Sequence, residues 1–97
     1  MSSFTANAYV PDTVSPPGET ILETIEALGI SQADLAERMG RTPKMVNEII
    51  KGKTILTPQT ALQLEQILGV PAAFWMNREQ QYREYLARLA DSELIAA

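Results

Sequence analysis

The chain has 97 residues, 12 acidic against 8 basic side chains, a net charge of −4, and neither cysteine nor histidine. That length supports one domain with a single modest core, and the lack of cysteine and histidine excludes disulfides, thiol nucleophiles, thiolate zinc sites and imidazole acid–base chemistry. No basic segment leads into an apolar run near the start, and no apolar stretch reaches the ~20 residues of a membrane span, so the expectation is a cytoplasmic protein without a membrane partner.

Residues 1–18 lack apolar periodicity and close on Ser15-Pro16-Pro17-Gly18, which reads as a flexible N-terminal arm. Phe4, Tyr9 and Val10 are apolar for a spacer and can dock either on this domain or on a partner. From Glu19, Ile21, Leu22, Ile25 and Leu28 recur at helical spacing with acids in the early turns and Gly29 as a stop.

Two short amphipathic patterns follow, hinged on Gly40. Ser31 and Asp34 form an S-x-x-D capping box for the first, in which Ala36 falls where only a small side chain fits between two crossing helices. Thr42 then precedes a proline at the first helical position, and Gly52 ends the second pattern. Val46, Ile49 and Ile50 share one face of that second helix, while Lys44, Asn47, Glu48 and Lys51 lie on the opposite one. A helix that buries its back and shows a polar stripe, joined by a glycine turn to a helix with a small residue at the crossing, is a helix-turn-helix.

After a loop at residues 53–56, Thr57-Pro58 repeats the cap-then-proline signal, and Ala61, Leu64, Ile67 and Leu68 predict a fourth helix ended by Gly69. Pro71 opens a fifth, in which Trp75, Tyr82, Tyr85, Leu86 and Leu89 form a stripe at near-heptad spacing and Arg78, Glu79, Arg83, Glu84 and Arg88 occupy the remaining positions. Phe74 and Trp75 read as anchors of the core or of a subunit interface. The expected organisation is thus an arm at 1–18, an all-α domain of five helices at 19–90, and a tail at 91–97 whose helix-start flavour leaves room for a longer protein.

Charge is segregated along this frame. Residues 1–37 carry −6, residues 38–53 carry +4 from Arg38, Arg41, Lys44, Lys51 and Lys53 against Glu48, and residues 54–97 carry −2. The one basic block coincides with the turn, the second motif helix and the loop after it, the elements that meet phosphates when a helix-turn-helix docks on DNA. No metal-ligand set, phosphate-cradling glycine loop or nucleophile–base pair appears, so neither an enzyme nor a cofactor is expected.

Four phrases carry a family resemblance: VSPPGETILETIEALGISQADLAERMG, MVNEIIKGK, ILTPQTALQL and LGVPAAFWMNREQQYREYLARL. Over residues 14–89 the chain resembles the phage-repressor-like (XRE) helix-turn-helix regulators and, within them, the HigA-type antidotes of plasmid maintenance. The resemblance implies a five-helix domain, a homodimer on an inverted-repeat operator, a transcriptional repressor of its own operon, and a RelE-like toxin as partner. A similar domain also stands ahead of a metallopeptidase-like region in longer regulators, and a protein-interaction module that no longer binds DNA is a further alternative.

On that alignment the second motif helix enters the major groove, and Thr42, Lys44, Met45, Asn47 and Glu48 are the candidate base readers. Lys44 can donate to guanine O6 and N7 or only meet phosphate; Asn47 can bridge adenine N6 and N7. Met45 can touch a thymine methyl or pack in the core, and Glu48 can accept from cytosine or pair with Lys44 or Lys51. Gln32, Arg41, Lys51 and Lys53 are the candidate phosphate contacts. One short helix with a few cations binds weakly, so specificity calls for two half-sites, and the fifth helix, through Trp75, Tyr82 and Tyr85, is the expected dimer interface.

Overall fold

The computed structural model describes the backbone of residues 14–96 and the side chains of residues 14–91. Five helices follow in order: α1 Gly18–Leu28, α2 Gln32–Met39, α3 Pro43–Ile50, α4 Pro58–Leu68 and α5 Ala72–Ala96. The described residues contain no strand. Each internal boundary has a local cause. Ser31 Oγ accepts from the Asp34 N–H at 3.0 Å while the Asp34 carboxylate accepts from the Ser31 N–H at 3.1 Å, closing the expected capping box. Thr42 and Thr57 cap α3 and α4 by accepting from Met45 and Thr60 N–H, each with proline at the first helical position. Gly40 makes the turn between α2 and α3 at φ 68°, a conformation that disfavours any residue with a Cβ.

The core is drawn from every helix: Ile21 and Ile25 of α1, Leu35, Ala36 and Met39 of α2, Val46, Ile49 and Ile50 of α3, Ala61, Leu64 and Leu68 of α4, and Trp75 of α5, with Leu56 from the loop. Ala36 is buried where α2 meets its neighbours, as its size requires. The packing face of α1 is narrower than the expected four-residue set: Ile21 and Ile25 are buried, whereas Leu22 and Leu28 are exposed.

Two expected boundaries move. Residue 18 is the first residue of α1 and is itself buried with Pro17, so the end of the expected arm is packed structure. Residues 91–96 continue α5 without a break. Phe4, Tyr9 and Val10 lie outside the described residues.

Trp75 corrects the expected dimer interface. It is fully buried within the single chain, and its indole N–H donates to the Val70 carbonyl at 3.2 Å. The turn at residues 69–71 is so short that the first turn of α5 folds directly onto α4, which places the indole in the domain's own core. Phe74 covers its rim edge-on, ring centroids 5.2 Å apart. Of the charged residues that occupy the other positions of this helix, Glu79 is buried and Arg78 and Arg83 are half-buried.

Candidate nucleic-acid interface

α2 and α3 pack on each other with Ala36 and Val46 buried, and α3 turns its opposite side outward. At the start of that outer side Thr42, Lys44 and Met45 are exposed; Asn47 and Glu48, a turn further on, are half-buried, and Lys51 and Lys53 are exposed beyond the helix end. Met45 is 43% exposed, which decides against the core alternative for its side chain. Glu48 forms no ion pair with Lys44 or Lys51; among the described residues the ion pairs are Arg83–Glu79 and Arg88–Glu84. The exposed N-terminal half of α3 thus offers a hydroxyl, an ammonium and a thioether.

Gln32, the first residue of α2, and Asn47 meet across the two helices: Asn47 Nδ2 donates to Gln32 Oε1 at 3.4 Å. The bond leaves the Gln32 amide hydrogens beside the N-terminus of α2 and leaves Asn47 Oδ1 with its second Nδ2 hydrogen, the pair of groups that bridges an adenine edge.

Arg41 is placed differently from the other cations. Its Nη2 donates to Thr60 Oγ1 at 2.9 Å and its Nε to Gln63 Oε1 at 3.2 Å, while Gln63 in turn donates to the Met39 carbonyl at the end of α2. Arg41 therefore ties the turn to α4, and these two bonds leave both Nη1 hydrogens and one on Nη2. Sequence reading assigned Arg41 by charge alone; nothing local announced Thr60 and Gln63 as its partners.

Behind α3 lies a support that sequence reading missed. Gly18 abuts the last residue of α3 so closely that a Cβ on it would stand 1.9 Å from the Ile50 carbonyl oxygen. Gly52, at φ 74°, is enclosed by Pro16 and by the ring of Tyr82, whose Cε2 would lie 3.0 Å from an added Cβ. Tyr82 is half-buried by this contact, so part of the ring expected to face a second subunit serves the domain itself. Arg78 reaches the Ser15 and Pro16 carbonyls and the Ser15 and Thr20 hydroxyls at 3.2 to 3.4 Å. Arg83 donates to the Gly52 and Thr54 carbonyls at 3.1 and 2.9 Å and to Glu79 at 2.6 Å. One helix thus grips both the Pro-Pro-Gly segment that enters the fold and the loop that leaves α3.

Among the described residues no cluster of acidic side chains is arranged to hold a metal ion, and no helix is long and apolar enough to cross a membrane. The Asp34 carboxyl is held below the usual aspartate range, first by the Ser31 backbone N–H and then by the Ser31 hydroxyl.

A glycine-hinged helix pair with an outward second helix defines a class, and comparison agrees: the helix-turn-helix family model matches residues 21–75, and the chain belongs to that family. Among curated proteins it is 29% identical over 66 residues to the uncharacterized HTH-type transcriptional regulator YddM of Escherichia coli, covering 68% of this chain and 70% of YddM. Its fold is that of the HigA-type antitoxins. The Pseudomonas aeruginosa antitoxin HigA, solved with the higBA promoter, superposes with a TM-score of 0.77 at 27% identity, covering 86% of this chain and 91% of that one. An addiction-module antidote protein of the HigA family from Coxiella burnetii gives 0.75 at 27% identity, covering 86% and 91%.

Proposed function

We propose that the chain is a sequence-specific DNA-binding repressor that acts as the antitoxin of a toxin–antitoxin module and controls its own operon. The observation that carries this reading is the outward N-terminal half of α3, flanked by the only basic block of an otherwise acidic chain. The likeness to an antitoxin solved with promoter DNA supports it.

In this reading α3 lies in the major groove. Lys44 donates to guanine O6 and N7, Asn47 bridges an adenine edge in the orientation that Gln32 fixes, Met45 meets a thymine methyl, and Thr42 and Glu48 supply the remaining polar contacts. Gln32 at the N-terminus of α2, Lys51, Lys53 and the Nη1 side of Arg41 hold phosphates and set the register. Two copies are needed to read an inverted repeat. The stripe formed by the half-buried Tyr82 and Tyr85 and the exposed Leu86 and Leu89 is the surface proposed to join them, without Trp75. A RelE-like toxin is the proposed protein partner.

A gel-shift with DNA from upstream of the chain's own gene tests the reading. A discrete shifted band that survives competition by unrelated duplex is expected; equal competition by any duplex removes sequence specificity, and no shift at low salt removes DNA binding.

A further inference from the structure

We propose that Arg83 is a positioning residue for DNA recognition, acting through the backbone of residues 52–54 at the exit of α3; this rests on the DNA-binding reading above. Its guanidinium satisfies two carbonyls of one loop and a carboxylate of its own helix: Nη2 donates to the Gly52 and Thr54 oxygens, and Nε to Glu79. The two carbonyls flank Lys53. Fixing both fixes the direction in which the exposed Lys53 side chain leaves the backbone, and Tyr82, one residue earlier on α5, closes the far side of Gly52. Only a planar fork with several donors can serve these acceptors together; an ammonium on a flexible stem cannot hold the same three directions.

The same helix supplies its own comparison. Arg88 and Glu84 repeat the i,i+4 spacing, but their side chains are 78% and 59% exposed, against 32% and 6% for Arg83 and Glu79. Equal charge and equal spacing thus occur once as a surface pair and once as a brace. Without the brace the loop would have to be ordered at the moment of binding, at a cost to affinity, and its lysine would no longer be aimed at a phosphate.

The test measures affinity of the full-length protein for its own promoter DNA over a salt series, for the wild type, Arg83→Met, Arg83→Lys and Arg88→Met, with thermal unfolding in parallel. Arg83→Met is expected to bind on the order of tenfold more weakly, and its slope of log affinity against log salt to be shallower by about 1 for each phosphate that Lys53 no longer neutralises. Arg88→Met is expected to match the wild type. Arg83→Lys keeps the charge and loses the fork, so it is expected to fall with Arg83→Met; if Arg83→Met fails to fold, Arg83→Lys carries the comparison. In the free protein, amide exchange at Lys53 should accelerate in both Arg83 variants. An Arg83→Lys variant with wild-type affinity and slope, or Arg83 variants no weaker than Arg88→Met, would overturn the proposal while leaving DNA binding intact. A wild type that binds no DNA overturns the functional reading first.

Discussion

Gly18 and Gly29 separate two uses of the same residue. Gly29 sits at φ 74° with nothing within 4 Å of an added Cβ, so Gly29→Ala should cost only the left-handed strain, about 1–2 kcal/mol. At Gly18 an added Cβ would collide with the Ile50 backbone, and α1 or α3 must give way. Gly18→Ala should therefore cost about 1–3 kcal/mol or more, the range for overfilling a packed site, and should also weaken DNA binding because it shifts α3. Urea unfolding and operator titration of both variants check this; operator affinity equally preserved in the two would contradict the close approach as a determinant of α3 placement. On the outer side, Asn47→Ala should lose about 1–3 kcal/mol on the operator and relax preference at one base pair per half-site, whereas Lys51→Ala should weaken every duplex alike. Competition titrations against single-base operator variants tell the two apart. Residues whose roles are local were legible in the sequence: Ser31 with Asp34, Thr42 and Gly40 act within a few positions of themselves. Gly18, Arg78 and Arg83 were not, because their partners lie tens of residues away and no periodicity encodes them.

At the scale of elements, the existence and order of all five helices follow from caps, prolines and apolar spacing, and the structure has them in place. Which face of α5 is buried does not follow. Near-heptad spacing grouped Trp75 with Tyr82 and Tyr85, but a short turn commits the first part of the helix to the core, while the later part, with Leu86 and Leu89, faces outward. Trp75→Ala should accordingly cost about 3–5 kcal/mol of folding stability, whereas Tyr85→Ala should mainly raise the dissociation constant of a dimer. Parallel calorimetry and sedimentation measure the two effects; a Tyr85→Ala protein that associates as tightly as the wild type would move the interface elsewhere, and a monomeric wild type would remove the proposed dimer. The capping box of α2 gives the pH dependence its sign. The Asp34 pKa is depressed in the folded state, so its contribution is present above the ordinary aspartate value and is lost as pH falls through the folded one. The melting temperature should drop on acidification through that window more in the wild type than in Asp34→Asn; parallel pH profiles would count against the box.

The whole molecule is polarised: −6 over residues 1–37 and +4 over residues 38–53, in a chain of net charge −4. Long-range repulsion from a polyanion opposes binding unless positive charge faces it, and Lys44, Lys51 and Lys53 are exposed on α3 and just beyond its end. In the proposed dimer the two-fold axis sets two copies of α3 about one DNA turn, roughly 34 Å, apart. The salt dependence of binding to the promoter DNA upstream of the chain's own gene tests this most directly. With about 6–10 phosphates neutralised per dimer, log affinity should fall against log salt with a slope of roughly −5 to −9. A slope near zero, or no binding at low salt, would contradict the account.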